Sequence, residues 1–403
     1  MLRERGAMAA TARNVAVLIN GNARGVTDRV IRLVSSVVPP DHLYVSRSLV
    51  EGRTLIRRIL QAGYDAVLTG GGDGTFVQFV SQIRDAVRSA DLGRDRMPAV
   101  GVFKLGTGNA LAGLLGCNEP TEEGLTADFW KARYTALTRA MRFVEVEGRV
   151  APFAGVGLDA RILNDFITVK DRARGTPLEP YLSGGGGYFT AIAGLTIPKL
   201  VVTRLPEVTI VNEGAPAWRV GPDGRRVGPL ILRGETLYQG PVQIASVSRL
   251  DGFGYHFRLF PFAYVRDDRL HLRVAASGVP EILSRLYWIW RGEYFSDTIH
   301  DFLVERIAMR AERPLPFQIG GDGEGHRSFI RYELCDEPLE LLDFRTSPAI
   351  LPVGPTAARP GGDGAGDAGD GADGKGDRGR SRTSSGRSSR PLGHPRSVRP
   401  VRA

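Results

Sequence analysis

Two glycine-rich stretches in the first third of the chain have the residue types of phosphate-binding loops. They are Thr69–Thr75 (TGGGDGT) and Leu105–Asn109 (LGTGN). Glycines let the backbone approach a phosphate closely, because they lack a Cβ and accept positive φ. Each stretch follows an apolar run and precedes a helical pattern, and a helix N-terminus presents unpaired N–H groups to an anion. We therefore predict that both loops face one phosphate-binding cleft; a plain glycine turn is the alternative.

The polar residues of these loops admit more than one role. Asp73 repels phosphate by its charge, so we expect its carboxylate to hold Mg²⁺ or a hydroxyl group. Asn109 either caps the helix that follows it or contacts a substrate. A third loop, Asn20–Gly25 (NGNARG), ends the first apolar run. It is expected at the same edge of the sheet, unless it is only a turn.

A pair of carboxylates stands in the last glycine-rich motif of the body of the chain. The stretch Gln318–Glu324 (QIGGDGE) places Asp322 and Glu324 on a turn. One carboxylate could accept a hydroxyl proton while the other orients the hydroxyl or its metal ion. Asp-Gly is also a common dipeptide of hairpin turns, so a purely structural turn stays open.

Two familiar nucleotide-binding patterns are not expected here. Gly155–Ala160 (GVGLDA) has the G-x-G-x-x-A spacing of a dinucleotide site, but no βαβ unit with a suitably placed acidic residue follows it. Neither glycine loop ends in Gly-Lys-Ser or Gly-Lys-Thr, so the chain has no Walker A loop. The predicted phosphate site is therefore of another type.

The elements that position these loops are predicted from the apolar periodicity. Strand and helix patterns alternate through the first 150 residues, which indicates a mostly parallel sheet with helices on both faces. Short β-rich runs with turn signals follow, as in an antiparallel sandwich, and Tyr255–Leu259 is one of the predicted strands. Pro280–Arg291 is predicted as one amphipathic helix. The expected fold class is an α/β domain followed by an antiparallel, sandwich-like β domain.

Composition excludes several classes of protein. The 403 residues are 42% hydrophobic and 24% charged, which is typical of globular proteins. Two cysteines far apart in sequence rule out a disulfide scaffold and favour a reducing compartment. No apolar run reaches the length of a membrane span, and no signal peptide is recognised. We expect a cytoplasmic protein.

The segment 354–403 differs from the rest of the chain. It is rich in Gly, Asp, Arg, Ser and Pro, and we expect a disordered tail because it has almost no large apolar residues to bury. It holds ten Lys and Arg residues against five Asp residues, and the resulting charge of +5 is more than half of the net charge of +9. This uneven spread argues against a nucleic-acid groove, and no nucleic-acid partner is expected. The Arg-rich end is either only solvated or in contact with anionic lipid.

Taken together, the motifs resemble the diacylglycerol kinase catalytic-domain family. This family includes bacterial lipid kinases and the sphingosine and ceramide kinases, and it belongs to the NAD kinase-like superfamily. The motifs that carry the resemblance are Gly70–Thr75, Leu105–Asn109, Gly155–Ala160 and Asp322–Glu324. Their order and spacing match the family over about residues 12–350.

The resemblance implies a domain organisation and two cofactors. An α/β nucleotide-binding domain is expected at 12–148, and a β-rich lipid-substrate domain at 149–337. Residues 338–350 are expected to return to the first domain, and 354–403 lie outside the family. The implied cofactors are ATP and Mg²⁺, bound in a cleft between the two domains.

The resemblance also implies roles for individual residues. ATP is expected to contact residues of the three glycine-bearing loops, namely Asn20, Gly71, Gly72, Asp73, Gly74, Thr75, Gly106, Thr107 and Asn109. Asp322 and Glu324 match positions regarded as catalytic in bacterial members. In sphingosine kinases the aspartate that matches Asp73 is assigned as the base instead. We keep all three as catalytic candidates and favour Asp322.

Three departures from the family pattern bear on these roles. The first loop has Gly21 where relatives usually have proline. The LGTGN motif is often followed by an aspartate in the family, but here Ala110 follows it, as in sphingoid-type members. This departure weakens diacylglycerol as the substrate. Asp267 and Asp268 match a segment where bacterial relatives hold a structural Mg²⁺, but Arg269 replaces the usual glycine after them.

The predicted function is transfer of the γ-phosphoryl group of ATP to a lipid hydroxyl, by a protein that contacts the membrane surface transiently. Diacylglycerol, a sphingoid base, ceramide and polyprenol-type alcohols all stay open as acceptors, and so does a homodimer. The uncharged segment 180–198 could line an acyl channel or pack in the core. The alternatives are NAD kinase and a non-catalytic protein that binds lipid or nucleotide.

Overall fold

Seven stretches of the chain are described in the computed structural model: 12–23, 25–89, 97–106, 109–173, 175–177, 204–252 and 257–345. Thr107, the segment 180–198 and the tail 354–403 lie outside the described residues, so the expectations about them stay predictions. None of the helices in the described stretches is long and apolar enough to cross a membrane.

The first part of the chain alternates strands and helices, as predicted. Its strands are β1 (Val15–Asn20), β2 (Leu43–Ser46), β3 (Ala66–Gly71), β4 (Ala99–Lys104) and β5 (Leu137–Met141). Its helices are α1 (Asp28–Val37), α2 (Leu49–Gln61), α3 (Asp73–Ser89), α4 (Ala110–Leu115) and α5 (Glu122–Tyr134), with a 3₁₀ turn at Pro40–His42. Side-chain hydroxyls start three of the helices by accepting a backbone N–H, namely those of Thr27, Ser48 and Thr121.

The second part of the chain is dominated by antiparallel strands. They are β6 (Val144–Val146), β7 (Arg149–Ala151), β8 (Phe153–Gly157), β9 (Glu207–Asn212), β10 (Ala217–Val220), β11 (Arg226–Ile231), β12 (Thr236–Pro241), β13 (Ile244–Ser248), β14 (Leu270–Ala275), β15 (Ile299–Val304), β16 (Arg306–Ile319), β17 (Asp322–Leu334) and β18 (Leu339–Asp343). Among the described residues they are accompanied by the helices α6 (Leu158–Ala173) and α7 (Val279–Arg291).

The strands form two sheets, which confirms the predicted fold class. The first sheet has the order β2-β1-β3-β4-β18-β5, and its first four strands are parallel. The second sheet runs β11-β10-β15-β14-β13-β8-β16-β17-β6-β7, with β9 and β12 attached beside β16. Among the described residues these antiparallel strands share one branched sheet, because β16 pairs with β9 through its first half and with β8 through its second.

Two details differ from the sequence-based expectations. The chain passes from the first sheet to the second between β5 and β6, ahead of the expected boundary at 148/149. Residues 257–259, predicted as part of a strand, lie in a loop. In that loop Arg258 N–H donates to Trp290 C=O and Leu259 N–H donates to Phe257 C=O, so the backbone is satisfied without a neighbouring strand.

The strand β18 ties the end of the described chain to its beginning. It lies inside the first sheet, parallel to β4 and antiparallel to β5. Leu341 and Leu342 are completely buried there. The first sheet therefore requires residues from both ends of the described chain.

Helix α3 links the two sheets. It packs beside β3, and its buried Arg84 makes a bidentate ion pair with Glu145 of β6. The Ser81 hydroxyl accepts the N–H of Val150 in β7. Because the first turn of α3 carries Asp73 and Gly74, these contacts hold the first glycine loop in a fixed position against the second sheet.

Candidate active site

The three glycine-bearing loops meet at the carboxyl edge of the first sheet. The strands β1, β3 and β4 are parallel neighbours and end at Asn20, Gly71 and Lys104. The loops behind β3 and β4 are in backbone contact, because a Cβ added at Gly106 would lie 2.3 Å from the Cα of Gly72. A Cβ at Gly25 would lie 1.8 Å from the carbonyl oxygen of Leu105. Glycine is thus required where these backbones touch.

Asparagine side chains organise the loops. Asn20 Nδ2 donates to Thr75 Oγ1 at 3.2 Å, which joins the first loop to the first turn of α3. Asn109 closes its own loop, since its Oδ1 accepts the N–H of Gly106 and its Nδ2 donates to the Gly106 carbonyl. Asn109 itself adopts φ 53° and makes no side-chain cap to α4.

Asp73 supplies the cap that Asn109 does not. Its two carboxylate oxygens accept the N–H groups of Ala110 and Leu111 at 3.1 and 3.2 Å. Burial raises the pKa of Asp73, and the two N–H donors oppose that rise. The carboxylate expected to hold Mg²⁺ or a hydroxyl therefore fastens the glycine loop of β3 to the helix that follows β4.

The acidic motif of the second sheet reaches the same place. The strands β16 and β17 are joined by Gly320 and Gly321, with φ of 59° and 89°, as in a two-residue hairpin turn of type I′. Asp322 is the first residue of β17, and its Oδ2 would lie 2.2 Å from a Cβ placed at Gly74. The motif is therefore both a hairpin turn and a part of the candidate site, because the turn positions Asp322 beside the start of α3.

The two carboxylates of this motif have different surroundings. Glu324 makes a bidentate ion pair with Arg149, at 2.9 and 2.7 Å. The carboxylate of Asp322 makes no hydrogen bond within the described residues, although it reaches solvent. Crowding by protein atoms, with repulsion from Glu324, raises the pKa of Asp322 to about 6, while Arg149 lowers it. Asp322 is the carboxylate whose oxygens are free to accept a proton.

A cavity adjoins the glycine loops on the side of β1 and β2. Its volume is 230 Å³, and Asn20 and Thr75 lie in its wall. The remaining lining mixes neutral polar and apolar side chains, namely Leu18, Asn22, Ser46, Ser48, Leu49, Ile56, Thr69, Gln78, Phe79 and Gln82, with Gly52. This wall carries hydrogen-bonding groups without charge, which suits a planar heterocycle.

A larger cavity of 550 Å³ lies on the second sheet and takes no part in this arrangement. Arg306 and Arg331 in its wall are paired with Glu333 and Glu213. These two charges of its wall are therefore neutralised, and the glycine loops adjoin the smaller cavity instead.

Residues 14–138 match the family model of the diacylglycerol kinase catalytic domain. The resemblance drawn from the motifs is confirmed over that stretch. No curated protein sequence matches the chain at a significant level.

Solved diacylglycerol kinases share the fold of the chain. A provisionally assigned diacylglycerol kinase from Bacillus anthracis str. Sterne superposes with a TM-score of 0.56 at 15% identity, covering 85% of this chain and 98% of its own. A second structure, of a diacylglycerol kinase from the same organism, gives a TM-score of 0.52 at 14% identity, covering 82% and 97%. At this identity the likeness concerns the fold, and it extends beyond the diacylglycerol kinase catalytic domain into the second sheet.

Two residues outside the predicted set support the acidic turn beside the first sheet. Arg149 carries no local signal, because its partner Glu324 is 175 positions away. Asp159 belongs to the quoted GVGLDA motif, and it accepts hydrogen bonds from Gln318 and Ser246. Gln318 in turn accepts the N–H of Gly321. The motif thus braces the turn and is not a dinucleotide loop.

The expected metal ligands Asp267 and Asp268 stand apart from these loops and face arginines. Asp267 pairs with Arg249, and Asp268 with Arg266 and Arg269. Within the described stretches, no cluster of three or more His, Cys, Asp or Glu side chains is arranged to hold a metal ion. The geometry disfavours a metal at Asp267 and Asp268, because the positive charges of the paired arginines repel a second cation.

Proposed function

We propose that the protein is an ATP-dependent lipid kinase that transfers the γ-phosphoryl group of ATP to a lipid hydroxyl. One observation carries the proposal: a carboxylate without a hydrogen-bond partner, Asp322, lies against Gly74 at the N-terminus of the 17-residue helix α3. A proton acceptor is thereby held beside a helix N-terminus, where backbone N–H groups suit an anion.

The chain's own residues divide the work of phosphoryl transfer. In the proposed reaction, backbone N–H groups of Gly72, Gly74 and Thr75 at the start of α3 bind phosphate oxygens. The 230 Å³ cavity beside Asn20 takes the base of the nucleotide. This leaves Asp322 as the group that meets the acceptor.

The chemical step follows from that placement. Asp322 accepts the proton of the lipid hydroxyl while the oxygen of that hydroxyl bonds to the γ-phosphorus. The bond from the γ-phosphorus to the bridging oxygen breaks, and ADP leaves. Such a reaction depends on positioning and charge neutralisation rather than on a covalent intermediate. Because Asp73 and Glu324 are engaged with α4 and Arg149, Asp322 is the base among the three candidates.

The residues present also fit Mg²⁺ as part of a nucleotide complex. Mg²⁺ usually keeps several waters and is bound through substrate phosphates with few protein ligands. The negative charges of Asp322 and Glu324 would favour the ion beside the glycine loops, and direct coordination would be left to phosphates and water, so that Asp322 stays available as the base. The ion would neutralise phosphate charge when bound.

A lipid acceptor is favoured over NAD by the surface of helix α7. Four large apolar side chains of this helix are 43–63% exposed, namely Leu286, Tyr287, Trp288 and Trp290. Ile282 and Ile289 on its other side are partly buried. Trp and Tyr prefer the interface between water and lipid, because their rings are apolar and each carries one polar atom. We propose that this face contacts the membrane that holds the acceptor.

The face is suited to neutral lipid as well as to anionic lipid. Its Arg291 is paired with Glu293 and lies over the ring of Tyr287 at 5.8 Å, which leaves Arg285 as an exposed cation of the helix outside the ion pairs of the described residues. Membrane contact through α7 is therefore expected to resist salt. Contact through the Arg-rich segment 378–402 would be lost with salt instead.

The proposal is tested by incubating the protein with radiolabelled ATP and Mg²⁺ and a total lipid extract, with NAD in a parallel reaction. Labelled lipid identified by mass spectrometry is the expected product, and labelled NADP would show the alternative enzyme. Asp322→Asn should reduce transfer about 10²–10⁴-fold while ATP still binds. The matched control is Asp336→Asn, an exposed residue of the following loop. ATP binding without transfer to either acceptor by the native protein would indicate a non-catalytic binding protein.

Membrane contact through the exposed face of α7 is tested separately. Trp288→Ser combined with Tyr287→Ser should reduce sedimentation with phosphatidylcholine vesicles by about tenfold, because burial of aromatic surface drives interfacial binding. Activity on a detergent-solubilised lipid should remain. A loss of self-association in analytical ultracentrifugation, with unchanged vesicle binding, would make the same face a contact between two copies and contradict membrane docking.

A further inference from the structure

The loop between β13 and β14 encloses a guanidinium group. Arg249 follows β13 directly, and its side chain is 2% exposed. Its Nη1 donates to the backbone carbonyls of Ala263, Arg266 and Arg269 at 2.8, 2.6 and 2.9 Å. Three carbonyl oxygens that converge on one point in this way form a cage for a cation.

The rest of the guanidinium completes the cage. Nη2 donates to Asp267 Oδ1 at 3.3 Å, and Nε donates to the carbonyl of Arg142 at 3.3 Å. The backbone N–H of Arg249 is bound to the carbonyl of Pro152, next to β8. The charged head thus joins the loop 263–269 to the linker between the two sheets.

These contacts occupy most of the oxygen atoms that a divalent ion would need. The three carbonyls and Asp267 Oδ1 face Arg249, while the rest of the Asp267 carboxylate is exposed. Both oxygens of Asp268 accept hydrogen bonds from Arg266 and Arg269. Mg²⁺ requires about six oxygen ligands near 2.1 Å. A guanidinium with N–H···O distances of 2.6–2.9 Å keeps the carbonyls farther out, and its own charge repels a second cation.

We infer that Arg249 replaces the structural Mg²⁺ that the family resemblance implies for this loop, so that the second sheet is held together by an internal cation and not by a metal. The inference does not depend on which substrate the protein phosphorylates. It predicts that the folded protein needs no bound metal ion for its stability. Any Mg²⁺ needed in catalysis would bind together with the nucleotide.

The first experiment uses the full-length native protein in the absence of nucleotide. Its melting temperature should be the same in EDTA as in millimolar Mg²⁺ or Ca²⁺. A melting temperature that falls in EDTA and returns when the metal is restored would overturn the inference. This measurement requires no variant, so it cannot fail through misfolding.

The second experiment removes the internal cation. Arg249→Met keeps most of the side-chain volume but leaves the carbonyls unpaired, and should lower the melting temperature by about 5–10 °C. Arg331→Met on β17, whose ion pair with Glu213 is exposed, is the matched control and should change it little. An unchanged melting temperature in Arg249→Met would contradict the inference.

A rescue measurement separates a cation site from ordinary packing. Arg249→Ala leaves a cavity lined by carbonyl oxygens, and added methylguanidinium should raise the melting temperature of this variant but not that of the native protein or of Arg331→Met. Rescue by Mg²⁺ would also support a cation cage, since it would regenerate the metal-bound form. If neither cation raises the melting temperature of a folded Arg249→Ala protein, the side chain acts by packing alone, and the inference is wrong.

Discussion

Three carboxylates of similar chemistry lie close together in this protein, and their partners give them different roles. Asp73 accepts two backbone N–H groups of α4, and Glu324 is paired with Arg149. Asp322 keeps its oxygens free and has a pKa raised to about 6. A base is most effective when its pKa lies near the working pH. At the residue scale, the surroundings thus favour Asp322 as the base of the proposed reaction.

The pH dependence of activity should report the titration of Asp322. The base works only when deprotonated, so kcat/KM should rise with pH up to about 6 and then level off. Asp322→Asn should be about 10²–10⁴-fold less active and should lose this acidic limb. Initial rates between pH 4.5 and 8.5 provide the measurement. An acidic limb that persists unchanged in the residual activity of Asp322→Asn would assign the titration to another group.

Arg149 should act on the rate through Asp322. Its positive charge lowers the pKa of Asp322, and its removal also leaves Glu324 as an unpaired negative neighbour. In Arg149→Met the acidic limb should therefore move to higher pH. The variant should lose more activity at pH values on that limb than on the alkaline plateau. The same pH series measures both. Arg331→Met, which breaks an ion pair farther along β17, should leave the midpoint in place.

At the scale of elements, the site depends on how closely two strand-to-helix loops approach. The parallel strands β3 and β4 bring Gly72 and Gly106 into backbone contact. Asp73 then joins the start of α3 to the start of α4. Because neighbouring parallel strands end at the same edge, the loops are adjacent as soon as the sheet forms.

A methyl group at Gly106 should separate these loops. Its Cβ would lie 2.3 Å from the Cα of Gly72, so the backbone must shift. Misplacement of this size is expected to reduce kcat/KM about 10²-fold. Gly113→Ala is the control, because a Cβ there on α4 meets nothing within 4 Å. That variant should be fully active and more stable by about 0.5–1 kcal/mol in urea unfolding. An equal decrease of kcat/KM in Gly106→Ala and Gly113→Ala would contradict the role proposed for the contact between the two loops.

At the scale of the whole molecule, the two sheets are interdependent. Strand β18 returns from the second sheet into the interior of the first, and α3 is bound to β6 through Arg84 and Glu145. The acidic turn before β17 closes on Gly74 only because these connections hold the sheets together. The site is therefore a property of the pair of sheets.

The expected nucleotide-binding domain should not fold by itself. A chain that ends at residue 148 lacks β18, which leaves the inner edges of β4 and β5 unpaired and exposes the surface that Leu341 and Leu342 cover. It should show no cooperative transition in thermal or urea unfolding monitored by circular dichroism. A chain that ends at residue 353 keeps β18 and should unfold as cooperatively as the full-length protein. A sharp transition in the shorter chain would show that the first sheet is autonomous.

Much of the architecture was predictable because its signals are local. The buried run of β1 and the helical pattern of α3 are set by residues within one element, and the glycines of Gly70–Thr75 mark the loop between strand and helix. The parallel sheet followed by antiparallel strands was predicted from these patterns. The loop at 257–259 was misassigned because β-type residues there satisfy their backbone within the loop and with α7.

The sequence by itself determined which residues could bind phosphate and which carboxylates could act as a base, because residue type and short-range spacing define chemical capacity. Only the tertiary structure decided among them. The contact of Asp322 with Gly74, the pairing of Arg149 with Glu324 and the enclosure of Arg249 all join residues from separate elements. Such contacts depend on strand pairing over long sequence separations, and local pattern does not encode which charged group will meet which partner.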